Sequence, residues 1–185
     1  MHMEEFTVYG STGIIGSHVT RYLEKNGFSV NTPDRDEVLS FSTPLGHVLY
    51  CIGVTADFRN RPIDTVQAHV CVLSEILRRG DFTSLLYLSS TRIYSGADSG
   101  REDARFSLDP SDPSDLYNLS KLMGESLCLQ CGRKGVKIAR LSNVVGDGTR
   151  VSRILYRLSC AMQKKGRFCF ALILHRRRII SISMM

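Results

Sequence analysis

Tyr117 and Lys121 stand four residues apart in Tyr117-Asn-Leu-Ser-Lys121, and the cluster Ser89-Ser90-Thr91 lies upstream, Ser90 being 27 residues before Tyr117. Positions i and i+4 share one face of a helix, so the ammonium can lie beside the phenol. A neighbouring positive charge draws a phenol's pKa down from about 10. Tyr117 would then exchange a proton with a substrate hydroxyl as general acid/base. Ser90, closing an apolar run, would hydrogen-bond the reacting oxygen. This is acid/base chemistry at a carbinol or carbonyl carbon, and it calls for a hydride carrier.

The start of the chain offers a place for one. The apolar run Phe6-Thr-Val-Tyr9 leads directly into Gly10-Ser-Thr-Gly13-Ile-Ile-Gly16. In such a strand–turn–helix the first glycine permits the tight turn, the second lets the backbone approach a pyrophosphate, and the third lets helix and strand pack closely. Thr12, Ile14 and Ile15 complete the cradle, because amides that open a helix, with its dipole, attract phosphate. An acid about 20 residues further on should bond the adenosine ribose, and Asp34 follows Gly16 by 18 residues. Asp34 favours NAD. Its neighbour Arg35 suits a 2′-phosphate, which keeps NADP as the alternative, and both residues also read as solvated loop charges.

The elements that must position these residues alternate between apolar runs and helical patterns. The spacing predicts strands over 6–9, 28–31, 47–52, 84–88 and 136–141, and helices over 14–26, 61–79, 114–130 and 150–164. This order is that of an α/β chain, a Rossmann-like doubly wound parallel sheet with helices on both faces. Thr32 to Gly46 is too short for a full helical crossover, so one irregular crossing is expected there, with Val38–Phe41 as a stunted strand. Residues 96–115 are polar and turn-rich. They fit a plain surface loop and a wall of the site equally well.

With 185 residues, the chain is one domain by length. The net charge of +6 is unevenly placed: every one of the 18 acids lies at or before Asp147, and nine of the 24 Lys/Arg lie from Arg150 onward. Charge confined to one end argues against a nucleic-acid-binding fold. The run Phe168–Leu174 is too short to span a bilayer. Of the six cysteines, Cys51 and Cys71 sit in apolar runs and read as small hydrophobes. Cys128 and Cys131 have neither a second pair nor a nearby histidine for zinc, so no metal site is expected. Idle thiols and the lack of a signal-peptide pattern point to the cytoplasm.

Four segments together resemble the extended branch of the short-chain dehydrogenase/reductase family, the NAD-dependent epimerase/dehydratases. They are Gly10-x-x-Gly13-x-x-Gly16, Leu88-Ser-Ser90-Thr-Arg-Ile-Tyr94, Tyr117-x-x-x-Lys121-x-x-x-Glu125 and Arg140-Leu-Ser-Asn143-Val-Val-Gly146. The resemblance implies Ser90, Tyr117 and Lys121 as catalytic residues, Lys121 also at the nicotinamide ribose, and Ser90 and Asn143 at the substrate. It further implies nucleotide-linked sugars as substrates and a homodimer through helices 61–79 and 114–130. Where many relatives carry asparagine in the helix after the fourth strand, this chain has His69, which reads as a packed core residue or as a proton relay. Residues 1–164 read as the NAD(P)-binding domain. Residues 165–185 read as an irregular basic tail in place of a substrate lobe, as in a truncated product. The expected function is therefore an NAD(P)-dependent epimerase/dehydratase-type oxidoreductase, the alternative being a non-catalytic dinucleotide-binding remnant or sensor.

Overall fold

The computed structural model describes residues 4–54, 57–141 and the backbone of 179–182. Strands β1 (Glu5–Tyr9), β2 (Ser29–Asn31), β3 (Gly46–Tyr50), β4 (Phe82–Ser90), β5 (Val136–Leu141) and β6 (Ile179–Ile182) form one sheet in the order β2-β1-β3-β4-β5-β6. Every pairing is parallel. Helix α1 (Ile14–Lys25) links β1 to β2, and α4 (Pro113–Gln130) links β4 to β5. Between β3 and β4 run α2 (Pro62–Val66), one π-helical turn (Gln67–Cys71) and α3 (Val72–Arg79). Right-handed crossovers that run outward in opposite directions from β1 place α1 on one face of the sheet and α2–α4 on the other. The order reverses between β1 and β3, and in open sheets of this kind the crevice at the carboxyl ends beside that reversal binds ligands.

The strands predicted over 6–9, 28–31, 47–52, 84–88 and 136–141 all form, as do the helices at 14–26 and 114–130, with shifts of a few residues at their ends. Three expectations change. Val38–Phe41 is no strand: residues 35–39 are turns, and Val38 and Phe41 are apolar because they pack against the core. Cys71 is exposed rather than buried. The tail is not wholly irregular, since Ile179–Ile182 pairs with Ile138–Leu141. The helix predicted over 150–164 lies outside the described residues, as does the rest of the tail.

The π turn has a visible cause. Tyr9, Tyr50 and Tyr87 lie side by side in register on β1, β3 and β4, fully buried, with ring centroids 6.2 and 5.8 Å apart. Burying a hydroxyl without a partner is costly; among the described residues the Tyr9 hydroxyl has none, whereas the other two find carbonyls. The Tyr50 hydroxyl donates to the Ala68 carbonyl at 2.6 Å and that of Tyr87 to the His69 carbonyl at 3.4 Å. Both acceptors lie in the π turn, and helices widen in this way where an outside group competes for their carbonyls. The turn also sends His69 into the interior, fully buried.

Helix α4 begins at Asp112, whose carboxylate accepts from the Ser114 amide at 2.7 Å, with Pro113 at the first helical position as helix starts favour. The face it buries is polar: Asn118, Ser120, Lys121 and Glu125 are all buried. Glu125 is met by Arg140 of β5 through Nε at 2.9 Å and Nη2 at 2.7 Å. Arg140 Nη1 continues to the Tyr94 hydroxyl at 2.6 Å and the Glu102 carbonyl at 3.2 Å, fastening the 96–115 loop as well. Both partners are 3% exposed, and removing one member of such a pair costs about 3–5 kcal/mol because the other charge is stranded. Arg140→Met should therefore lower the unfolding free energy by about that amount in urea titration. An unchanged midpoint would show that Glu125 needs no partner.

Candidate active site

The Gly-rich turn is built as its spacing predicts. Gly10 has φ 80°, a conformation that favours glycine, and a Cβ there would meet the Cys51 carbonyl carbon at 2.9 Å. On Gly16 a Cβ would collide with the Gly10 carbonyl oxygen. Gly13 forms the N-cap of α1 without a side-chain cap, and no acid occupies the first turn. The opening amides of the helix thus have no partner within it, and Thr12, Gly13 and Ile14 around them are exposed while Ile15 is half-buried. An anion suits this end of the helix. Asp34 and Arg35 follow β2, which is hydrogen-bonded to β1, and both are exposed.

Ser90 ends β4 and begins a 3₁₀ turn, Thr91–Gly96, in which its Oγ accepts the Arg92 amide at 3.2 Å. The Ser90 side chain also lies near enough to the Tyr117 phenol to draw its pKa down. Tyr117 is 6% exposed and sits between Phe58, ring centroids 5.1 Å apart, and the edge of His69, also 5.1 Å away at an interplanar angle of 88°. Lys121 is buried, with Nζ donating to the Leu88 carbonyl at 2.9 Å and lying 5.1 Å from the Tyr87 ring centre. Burial pulls its pKa down to about 7. The chain thus brings Ser90, Tyr117 and Lys121 together at the carboxyl end of β4. Asn143 lies outside the described residues.

One expectation changes with its cause. Burial pushes the Tyr117 pKa up, and the groups that draw it back are the Ser90 hydroxyl and the charge of Arg92. Lys121 turns toward the Leu88 carbonyl instead. Arg92 lies with its guanidinium 6.0 Å from the Tyr117 ring centre and 5.3 Å from that of Phe58, whose ring also carries Arg59 at 4.5 Å. Sequence reading gave no role to Arg92, Phe58 or Arg59. Arg92 is two residues from Ser90, the one signal available; Phe58 and Arg59 carry none, because only the fold brings their loop to Tyr117. Among the described residues, no group of three His, Cys, Asp or Glu side chains could hold a metal ion, and no helix is long and apolar enough to cross a membrane.

The model of the NAD dependent epimerase/dehydratase family matches residues 45–176. The chain belongs to that family. Its fold is that of solved members with nucleotide cofactors. RMD from Pseudomonas aeruginosa, complexed with NADPH, is 26% identical with a TM-score of 0.65, over 89% of this chain and 62% of that one. A UDP-galactose 4-epimerase is 20% identical with a TM-score of 0.65, over 88% and 64%. TunA, an NAD-dependent NDP-hexosamine 5,6-dehydratase, is 21% identical with a TM-score of 0.63, over 88% and 62%. The chain therefore spans about three fifths of the length of these relatives. No curated protein matches it.

Two measurements check this geometry. Gly13→Val would place a branched side chain over the exposed amides, so NAD affinity should fall more than tenfold in calorimetric titration; equal affinities would remove the turn from the cofactor site. The Lys121 amine should titrate near pH 7 by side-chain NMR, charged below and neutral above. The unfolded chain keeps that proton to about pH 10.4, so between these values the unfolded state binds more protons and this group's contribution to stability rises with pH. A midpoint above 9 would mean that the amine is not buried as described.

Proposed function

We propose that this chain carries the cofactor-binding and acid/base part of an NAD(P)-dependent enzyme acting on a nucleotide-linked sugar. The observation that carries the reading is that Tyr117 and Lys121 are buried together at the carboxyl end of β4, which Ser90 closes, at the sheet edge next to the strand-order reversal. The Gly10–Gly16 turn and the free amides of α1 would hold the pyrophosphate, with Asp34 at the adenosine ribose and NAD as the cofactor. The chemistry that NAD would supply there is hydride acceptance from the sugar carbon or, in its reduced form, hydride return.

The protein's own contribution is proton handling and orientation. Ser90 holds the sugar oxygen against Tyr117. In the oxidising direction the carbinol O–H proton would pass to Tyr117 in its phenolate form as the C–H bond gives up its hydride, and in the reducing direction the Tyr117 phenol would return that proton to the new alkoxide. Burial keeps Tyr117 protonated, which suits it to the acid role, and the base role requires neighbouring positive charge. Arg92 supplies one such charge. Lys121, bonded to Leu88, would serve the nicotinamide ribose, and the family resemblance assigns Asn143 to the sugar. The exposed apolar side chains Ile63 on α2 and Leu119 and Met123 on α4 support a homodimer through these helices.

A second reading is a dinucleotide-binding protein without turnover. The test is turnover with nucleotide sugars alongside calorimetry with NAD. Tyr117→Phe should bind NAD as the wild type does and lose at least about 10² in kcat, the scale of acid–base catalysis. Near-normal turnover in that variant would exclude Tyr117 as the acid/base, and NAD binding without turnover in the wild type would establish the second reading.

A further inference from the structure

Two guanidiniums share one aromatic ring beside the acid/base. Phe58 is buried against Tyr117, and its ring carries Arg59 at 4.5 Å and Arg92 at 5.3 Å from the centroid. Arg92 also lies 6.0 Å from the Tyr117 ring centre, and its own amide donates to Ser90 Oγ at 3.2 Å. The side chain is thus rooted at the serine and laid toward the phenol. Both arginines are exposed. Two like charges gathered on one ring repel, and an anion shared between them removes that cost.

Neither has an acid for a partner. Arg61 pairs with Asp64 at 2.8 Å and Arg101 with Asp103 at 2.9 Å, but among the described residues Arg59 and Arg92 form no ion pair. Arg59 gives Nε and Nη2 to the Ser114 hydroxyl at 3.1 and 3.0 Å, a neutral acceptor that leaves its charge uncompensated. Asp57, the acid next to Phe58 in sequence, is engaged by Asn60 at 2.7 Å. A guanidinium held on a ring keeps N–H donors in its own plane, in the fork that matches a carboxylate.

Position selects the anion. In the functional reading above, the sugar oxygen that exchanges its proton lies between Ser90 and Tyr117, and Arg92 stands at both. A carboxylate on the sugar carbon adjacent to the reacting one lies close to that oxygen, whereas the diphosphate leaves the sugar at the anomeric carbon, toward the nucleotide. We propose, resting on that nucleotide-sugar reading, that Arg92 is a specificity-determining residue which, with Arg59 on the same ring, receives the carboxylate of a nucleotide-linked uronic acid. One carboxylate against two guanidiniums leaves a net positive charge beside Tyr117, so binding the acid preserves the cation that the base role requires.

The experiment is calorimetric titration of the full chain, in saturating NAD, with UDP-glucuronate and with UDP-glucose, for wild type, Arg92→Gln and Arg92→Lys. It is paired with ¹⁵N NMR of the arginine Nε–H groups on adding free glucuronate or free glucose. The wild type should bind UDP-glucuronate at least about tenfold more tightly than UDP-glucose, the scale of one charged hydrogen bond. In Arg92→Gln the ratio should fall to within about twofold, with the loss confined to the uronate. Arg92→Lys keeps the charge without the planar fork and should fall between the two. Equal affinities in the wild type, or a preference that survives Arg92→Gln, overturns the proposal and leaves the nucleotide-sugar reading standing. Loss of both ligands by the same factor in Arg92→Gln places the guanidinium at the diphosphate and also overturns it. If neither nucleotide sugar binds, that reading fails and the free sugars decide. Glucuronate that moves the Arg92 Nε–H signal where glucose does not upholds an acidic-sugar site, and no difference between them ends it.

Discussion

Helix α4 lies close enough to the sheet to bury an amine and a carboxylate on one face, and the site follows from that constraint. Gly124 makes the approach feasible, since a Cβ there would collide with the Tyr87 hydroxyl and stand 2.9 Å from the His69 carbonyl oxygen. With the helix so near, each charged group must find a partner or lose its charge. Glu125 finds Arg140. Lys121 finds only the Leu88 carbonyl, and its pKa falls accordingly. Tyr117, one turn earlier, is carried by the same contact to the end of β4, where Ser90 meets it.

The tyrosine ladder supplies the opposing surface. The hydroxyls of Tyr50 and Tyr87 are met by the carbonyls of Ala68 and His69. The resulting π turn rotates His69 inward, perpendicular to the Tyr117 ring and toward Lys121. Packing and chemistry are therefore served by the same atoms: the hydroxyl of Tyr87 faces both the helix that carries the acid/base and the turn that carries the imidazole. A perturbation of either helix should be felt at Tyr117.

Much of this was legible in the sequence, for physical reasons that can be named. Short β-rich runs ended by glycine, and an amphipathic pattern after Gly10-x-x-Gly13-x-x-Gly16, are local signals, and the parallel sheet follows from their alternation. Ser90, Tyr117 and Lys121 could be grouped because their spacing around one strand and one helix is itself the constellation. The π turn was not legible, because Gln67–Cys71 continues the apolar spacing of the flanking helices and its cause lies on two distant strands. Val38 and Phe41 were misread for a related reason: burial demands apolar residues in a turn as readily as in a strand. Nor could the sequence show that Lys121 faces Leu88 while Arg92 faces Tyr117, since rotamer choice and loop path decide that.

The central claim is that one sheet edge gathers the phosphate cradle, the acid/base pair and the buried imidazole around a single dinucleotide. A crystal structure of the chain grown with NAD tests it most directly. The account predicts the pyrophosphate over Gly13 and the opening amides of α1, with the nicotinamide end of the cofactor in the crevice beside Ser90 and Tyr117 and a ribose hydroxyl bonded to Lys121. Cofactor bound elsewhere, or a nicotinamide directed away from Tyr117 with Lys121 still bonded only to Leu88, would contradict it.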